Sequence, residues 1–249
     1  MVVKTIQNLQ KMREAGRLLA DIFESIPSKI QVDVSTAALD SWIEGELIKR
    51  QLVSQSKGYR GYRHVSCISV NNVVVHGVPS DSIILQDGDL VKVDVCAAWQ
   101  GYCADMARCF FVGNKPDEKL QHLVTVAYQA LDKGIAKAVE GNRLFDISAA
   151  IQEHVEKFGY GVVRDFAGHG IGKNMHENPD VPNFGIAGTG MRLKAGMTFA
   201  IEPMITQESY EIYIDSDHWT VKTKDGKYAA HVEDTVVVGK NGPEILTRL

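Results

Sequence analysis

The stretch LVKVDVCAAWQGYCADMARCFFV, Leu90 to Val112, decides the fold. Two runs rich in β-branched, aromatic and small apolar residues flank Gln100-Gly101, a pattern that predicts an antiparallel hairpin. Each run carries one carboxylate among apolar neighbours, Asp94 in VKVDV and Asp105 in YCADM. A buried, unpaired carboxylate is costly, so such groups are paired or bound to a cation. Alone, the hairpin fits either two strand-end aspartates that cap turns or half of a multivalent metal site.

Upstream of it the spacing of Leu9, Met12, Ala15, Leu18, Leu19, Ile22 and Phe23 predicts a helix from about Ile6 to Phe23, stopped by Ile26-Pro27. A second helix starts near the cap residue Ser35 and carries Leu39, Trp42, Ile43 and Leu47 on one face. The run VSCISVNNVVVHGVP predicts a second strand pair turning at Asn71-Asn72 and ending at His76-Gly77. Downstream, Pro116 is expected in the first turn of a third helix, whose apolar face runs from Leu120 to Val139. A fourth helix carries Ile147, Ile151, Val155 and Phe158 and stops at Gly159. The segment AGHGIGKNMHENP and a long loop to Gly190 follow, and then strands in MTFAIEPMI, WTVKT and HVEDTVVVG.

This order repeats. A shift of 108 positions carries Leu39, Ile43 and Leu47 onto Ile147, Ile151 and Val155, Gly88 onto Gly196, and Asp94 onto Glu202. HVEDTVVVG then takes the part of the second hairpin strand, with Glu233 answering Asp105. A doubled unit of two helices plus a hairpin, about 1–113 and 114–249, predicts an α+β fold in one domain. Its sheet should be curved and antiparallel, lie about a pseudo-two-fold axis and carry helices on its outer face. Four carboxylates should converge near the axis. Like charges so close would force protonation, and two divalent cations resolve the conflict.

Histidine is the usual further ligand. His76, His169 and His176 lie in glycine-rich junctions beside the acid-bearing strands and are read as site residues, while His64, His122, His154 and His218 are read as surface or satisfied core residues. GHGIG and GIAGTG do not fit a phosphate loop, and HENP is not the H-E-x-x-H of a zinc peptidase helix. Cys67, Cys96, Cys103 and Cys109 form no C-x-x-C pair and read as reduced thiols. A net charge of −4 argues against a bulk nucleic-acid binder, and no long apolar run predicts a membrane span. The opening residues lack the pattern of a signal peptide, so the expected compartment is the cytoplasm.

HGVP, the spacing from Asp94 to Asp105, GHGIG-x3-HE, GMTFAIEPM and VEDTVVV, in this order, resemble the type I methionine aminopeptidases over essentially the whole chain. The resemblance implies the pita-bread fold. It implies five metal ligands, Asp94, Asp105, His169, Glu202 and Glu233, and two substrate-facing histidines, His76 and His176. Two divalent ions, cobalt, manganese or iron(II), suit this oxygen-rich set. Asp105 and Glu233 would be shared, Asp94 would complete one ion, and His169 and Glu202 the other. The implied chemistry is attack of metal-activated hydroxide on the first peptide bond, with Glu202 carrying the proton, His176 on the oxyanion or scissile amide, and His76 near the scissile nitrogen.

The resemblance also places Tyr59, Tyr62, Cys67, His76 and Trp219 around a methionine-shaped pocket. Met175 stands where the bacterial pattern has an aromatic residue. Implied partners are nascent polypeptide N-termini with a small second residue and, transiently, the ribosome, with no DNA or membrane and a monomeric enzyme. An Xaa-Pro aminopeptidase or prolidase of the same fold is the nearest alternative. A non-enzymatic module of the same fold is the second, although such modules typically lose metal ligands.

Overall fold

The computed structural model describes residues 3–113 and 117–249. Pro116, expected in the first turn of the third helix, lies outside them. In chain order the elements are helices α1 (Ile6–Phe23) and α2 (Thr36–Lys49), then strands β1 (Val53–Ser54), β2 (Cys67–Val70), β3 (Val73–Val75), β4 (Leu90–Trp99) and β5 (Tyr102–Phe111). Helices α3 (Glu118–Ile135) and α4 (Leu144–Lys157) open the second half. They are followed by β6 (Gly161–Val162), β7 (Ala167–Gly170), β8 (Glu177–Pro182), β9 (Thr198–Ile201) and β10 (Met204–Thr206). The chain ends with β11 (Ile212–Ile214), β12 (Val221–Thr223), β13 (Ala229–His231), β14 (Glu233–Val237) and β15 (Glu244–Ile245).

Nine strands form one antiparallel sheet in the order β1-β4-β5-β14-β9-β7-β8, with β2 on β4 and β15 on β14. Two three-stranded sheets, β13-β10-β6 and β11-β12-β3, complete the strand structure of the described residues. The central pairing is β5 with β14, which joins the two halves of the chain. Gln100 and Gly101, at φ 47° and 75°, close the β4–β5 hairpin with two left-handed residues, the turn that matches the twist of its strands.

Period-two alternation assigns the two faces of this sheet. Val91, Val93, Val95 and Ala97 of β4, with Ala104 and Met106 of β5, pack under Leu19, Ile22, Leu39, Ile43 and Leu47 of α1 and α2. Phe199, Ile201 and Val236 pack under Leu123, Ala127, Leu131, Ile147 and Ile151 of α3 and α4. Both helix pairs therefore cover one face, and the opposite face is left for the acids.

Several local expectations change. The strand pair at Asn71-Asn72 does not form a ladder: β2 joins β4 and β3 joins β12. Asn71, in the left-handed region, is tied instead to the start of β4, where its side chain bonds Asp89 and the Leu90 amide and its own amide donates to the Leu90 carbonyl. These bonds send β2 and β3 to different sheets. Helix α3 ends at Ile135, before Val139, because the chain tightens there and Glu140 N–H bonds the Gly239 carbonyl. Phe158 caps α4 and is 41% exposed, with its ring against His122 and His154 rather than the core. The long loop to Gly190 contains β8. MTFAIEPMI and HVEDTVVVG are each two strands, broken at Glu202-Pro203 and at Val232.

Candidate active site

Strand register brings the acids together. Asp94 lies opposite Ala107, and Asp105 opposite Cys96, so the two aspartates are diagonal neighbours on one face. Glu233 also lies opposite Ala107. On the other side of β14, Thr235 faces Ala200, and Ala200 faces His169. Glu202, two residues beyond Ala200, shares its side of the sheet. Asp94, Asp105, His169, Glu202 and Glu233 thus point the same way, and all five line one cavity of about 370 Å³. Gly168 lets β7 approach closely: a Cβ there would stand 2.4 Å from the Ala200 carbonyl oxygen.

His169 Nδ1 donates to the Gly170 carbonyl at 3.0 Å, which leaves the Nε2 lone pair facing the acids. That nitrogen is 3.6 Å from Glu202 Oε1 and 3.8 Å from Asp105 Oδ2. Burial lowers its pKa to about 3, so the ring is neutral. The acids are under the opposite strain. Burial raises Glu202 to about 8, and burial with the Glu202 charge raises Asp105 to about 7. Asp94 and Glu233 are also pushed well above the carboxylate range, first by burial and next by the charge of Asp105. Glu233 Oε1 is buried without a hydrogen-bond partner. A neutral imidazole aimed at crowded acids, one with an orphaned oxygen, fits divalent cations. Ligand atoms of Asp105, His169 and Glu233 lie within 4.8 Å of one another.

The rim comes from four connections. Tyr59 and Tyr62, with Ser56 and Arg60, come from the segment between β1 and β2, and Cys67 begins β2 opposite Asp94. His76 follows β3 in the left-handed conformation, φ 58°, and its ring meets Phe166 edge-on. Met175 and His176 come from the β7–β8 connection, and Trp219 from the β11–β12 connection. Tyr62 donates to the Ser66 carbonyl and packs against Trp219 with ring centroids 5.0 Å apart. Tyr59 and His176 Nδ1 are 3.3 Å apart, and the His176 ring lies 4.4 Å from that of His169. Burial lowers His76 to about 4 and also lowers His176. The Cys67 thiol is held protonated by burial and by Asp94.

Every residue expected in the site therefore lines this cavity. His64, His122 and His154 lie outside it, bonded to Asp40, Tyr160 and Gln129. His218 is exposed, as expected of a surface residue, yet it also lines the cavity beside Trp219, carried there by a tight turn at φ 63°. His231 was not singled out, yet its Nε2 lies 3.1 Å from Glu202 Oε2. Its signal was present, because His231 precedes Glu233 by two positions and so shares its face in a strand. No periodic pattern marks His218.

The sequence profile of metallopeptidase family M24 matches residues 10–240. The chain belongs to metallopeptidase family M24. Among its M24 relatives, the methionine aminopeptidase of Clostridium acetobutylicum is 44% identical over 99% of this chain and 98% of its own. The crystal structure of methionine aminopeptidase from Thermotoga maritima superposes with a TM-score of 0.97 at 38% identity, covering 100% of both chains. An X-Pro aminopeptidase from the same organism shares the fold, with a TM-score of 0.79 at 20% identity over 99% of this chain and 62% of its own. The M24 chain has the pita-bread fold, a curved antiparallel sheet with helices on one face.

Proposed function

We propose that the chain is a metal-dependent methionine aminopeptidase that removes the N-terminal methionine from newly made polypeptides whose second residue is small. The observation that carries this reading is the five-residue donor set on the floor of a cavity rimmed by Tyr59, Tyr62, Cys67, Met175 and Trp219. We also propose that residues 1–249 act as one catalytic domain.

Asp94, Asp105, His169, Glu202 and Glu233 would together hold divalent cations. When bound, such ions supply Lewis acidity and make a water molecule acidic at neutral pH. The residues of the chain do the rest. Tyr62, Trp219 and Met175 give a thioether apolar and aromatic contact, which suits a methionine side chain. His176 donates to the oxygen that gains charge as the first peptide bond is attacked, and His76 holds the scissile nitrogen. Glu202 takes the proton from the attacking water and returns it to the leaving amine. Cobalt, manganese or iron(II) suits the oxygen-rich donor set. On this reading the enzyme is a cytoplasmic monomer that meets nascent chains near the ribosome.

The test is a metal-titrated assay of stripped protein on Met-Ala-Ser, Met-Lys and Xaa-Pro peptides. Metal-dependent cleavage with preference for Met-Ala-Ser is expected. Faster Xaa-Pro cleavage would overturn the assignment in favour of a prolidase, and no cleavage under any metal would favour a binding module.

A further inference from the structure

Glu202 meets two imidazoles, one on each carboxylate oxygen. Oε1 is 3.6 Å from His169 Nε2, and Oε2 is 3.1 Å from His231 Nε2. Only His169 belongs to the donor set proposed above. His231 is 1% exposed and is not among the residues that line the cavity.

The two strand breaks create this contact. After Ile201 the chain leaves the large sheet at Glu202-Pro203 and continues as β10 in a smaller one. After His231 it makes the opposite crossing, through Val232 into β14. Met204 pairs with His231, and Val232 N–H bonds the Pro203 carbonyl, so both crossings occur at the same level. The backbone of Glu202 is fixed as well, since Asn183 Nδ2 donates to its carbonyl at 2.9 Å. β4 and β5 run without such breaks, and the residue opposite Asp105 in that hairpin is Cys96.

A carboxylate that gives one oxygen to a cation keeps a second oxygen that needs a donor, and such partners orient the ligand. We propose that His231 is a positioning residue for Glu202: its Nε2–H donates to Oε2 and holds the carboxylate with Oε1 turned toward His169 and the reacting centre. The inference rests on the reading of Glu202 as ligand and proton carrier. The other role open to His231 is direct ligation, because its ring nitrogen lies within 4.8 Å of the ligand atoms of Glu202 and Glu233. The hydrogen-bond separation from Oε2 and the place of His231 behind the cavity wall favour the positioning role.

Three proteins test it: the unmodified chain, His231→Gln, which keeps an N–H donor, and His231→Ala, which keeps none. Calorimetric titration of metal-stripped protein with Mn(II) or Co(II) should give the same stoichiometry in all three. On Met-Ala-Ser the alanine variant should lose about 10–100-fold in kcat, the scale for removing a partner of a metal ligand. Its KM should stay within about twofold, and the glutamine variant should recover most of the loss. Loss of one metal equivalent in both variants would make His231 a ligand and overturn the proposal. Unchanged kcat in His231→Ala would do the same, as would equal kcat losses in both variants accompanied by equal falls in melting temperature. If the unmodified chain cleaves no Met-Ala-Ser under any metal, the enzyme reading itself has failed, an outcome separate from all of these.

Discussion

Lys4 Nζ lies 2.6 Å from Glu177 Oε2, an ion pair largely withdrawn from water between the start of the chain and the strand that follows His176. Lys4 N–H also bonds the Gly196 carbonyl. The other oxygen of Glu177 accepts the Lys173 and Asn174 amides at 2.9 and 3.4 Å. Gly172 leaves room for the pair, since a Cβ there would stand 2.4 Å from Lys4 Cε. The pair thus braces residues 172–177, the turn that presents Met175 and His176 to the cavity.

Lys4→Met leaves the Glu177 carboxylate without its cation, at a cost of about 1–3 kcal/mol. The expected result is a lower melting temperature and a raised KM for Met-Ala-Ser, with metal stoichiometry unchanged. Thermal melts and steady-state kinetics measure both. An unaltered KM in a destabilised variant would separate the ion pair from the pocket.

Removing metal should make stability depend on pH in a defined window. Asp105 and Glu202, raised to about 7 and about 8, ionise near 4 in the unfolded chain. The folded, metal-free protein therefore binds more protons than the unfolded one, and that stability is lost as pH rises through the folded values. His76, His169 and His231, lowered to about 4, 3 and 4, act in the opposite sense, but only below their unfolded value of about 6.5. Between about pH 6.5 and 8.5 the stripped protein should melt at progressively lower temperature than the loaded protein. A gap that stays constant across this window would contradict the raised values.

His169→Ala and Glu202→Ala should abolish turnover while far-UV circular dichroism shows the fold retained. Full activity in either would sink the donor set. His176→Ala should lower kcat by about 10² or more, the effect of losing a donor to an oxyanion. A change confined to KM would remove His176 from that role.

Gly77 packs so closely on β2 that a Cβ would stand 2.3 Å from the Ile68 carbonyl oxygen. Gly77→Ala should cost about 1–3 kcal/mol of overpacking. It should also displace His76, already held at positive φ, and so lower kcat. Unchanged kcat would show that His76 keeps its place without this contact.

The four acids were legible because each sits six residues beyond a turn glycine or in a strand that echoes the first hairpin, and period-two alternation carries through to the folded sheet. α1 matched to the residue because its apolar stripe ends at a proline-marked stop. The strand breaks at Glu202-Pro203 and Val232 were not legible, since each run reads as continuous β-sequence. A change of sheet is set by which partners the neighbouring strands find. A continuous strand would put His231 on the face of Glu233, but its place behind the cavity wall against Glu202 follows from the break at Val232, and β8 escaped notice because ENPDVP has two prolines and two acids and pairs only through its place at the sheet edge. His218 enters by a turn whose conformation no periodicity marks.

The joining of β5 to β14 has a consequence for how the protein is made. Asp105 N–H bonds the Thr235 hydroxyl, and that hydroxyl bonds back to the Asp105 carbonyl, across 130 positions. Arg248, next to the last residue, anchors Asp234 beside them. Contacts of such separation form only after long loop closure, and they set the pace of folding. A ribosome-bound chain can build α1, α2 and the first hairpin early, yet it holds only two of the four acids until Glu202 emerges and lacks the fourth until Glu233 does. On the function proposed here, an enzyme that trims chains during their synthesis becomes competent only after its own β14 has been made and has joined β5.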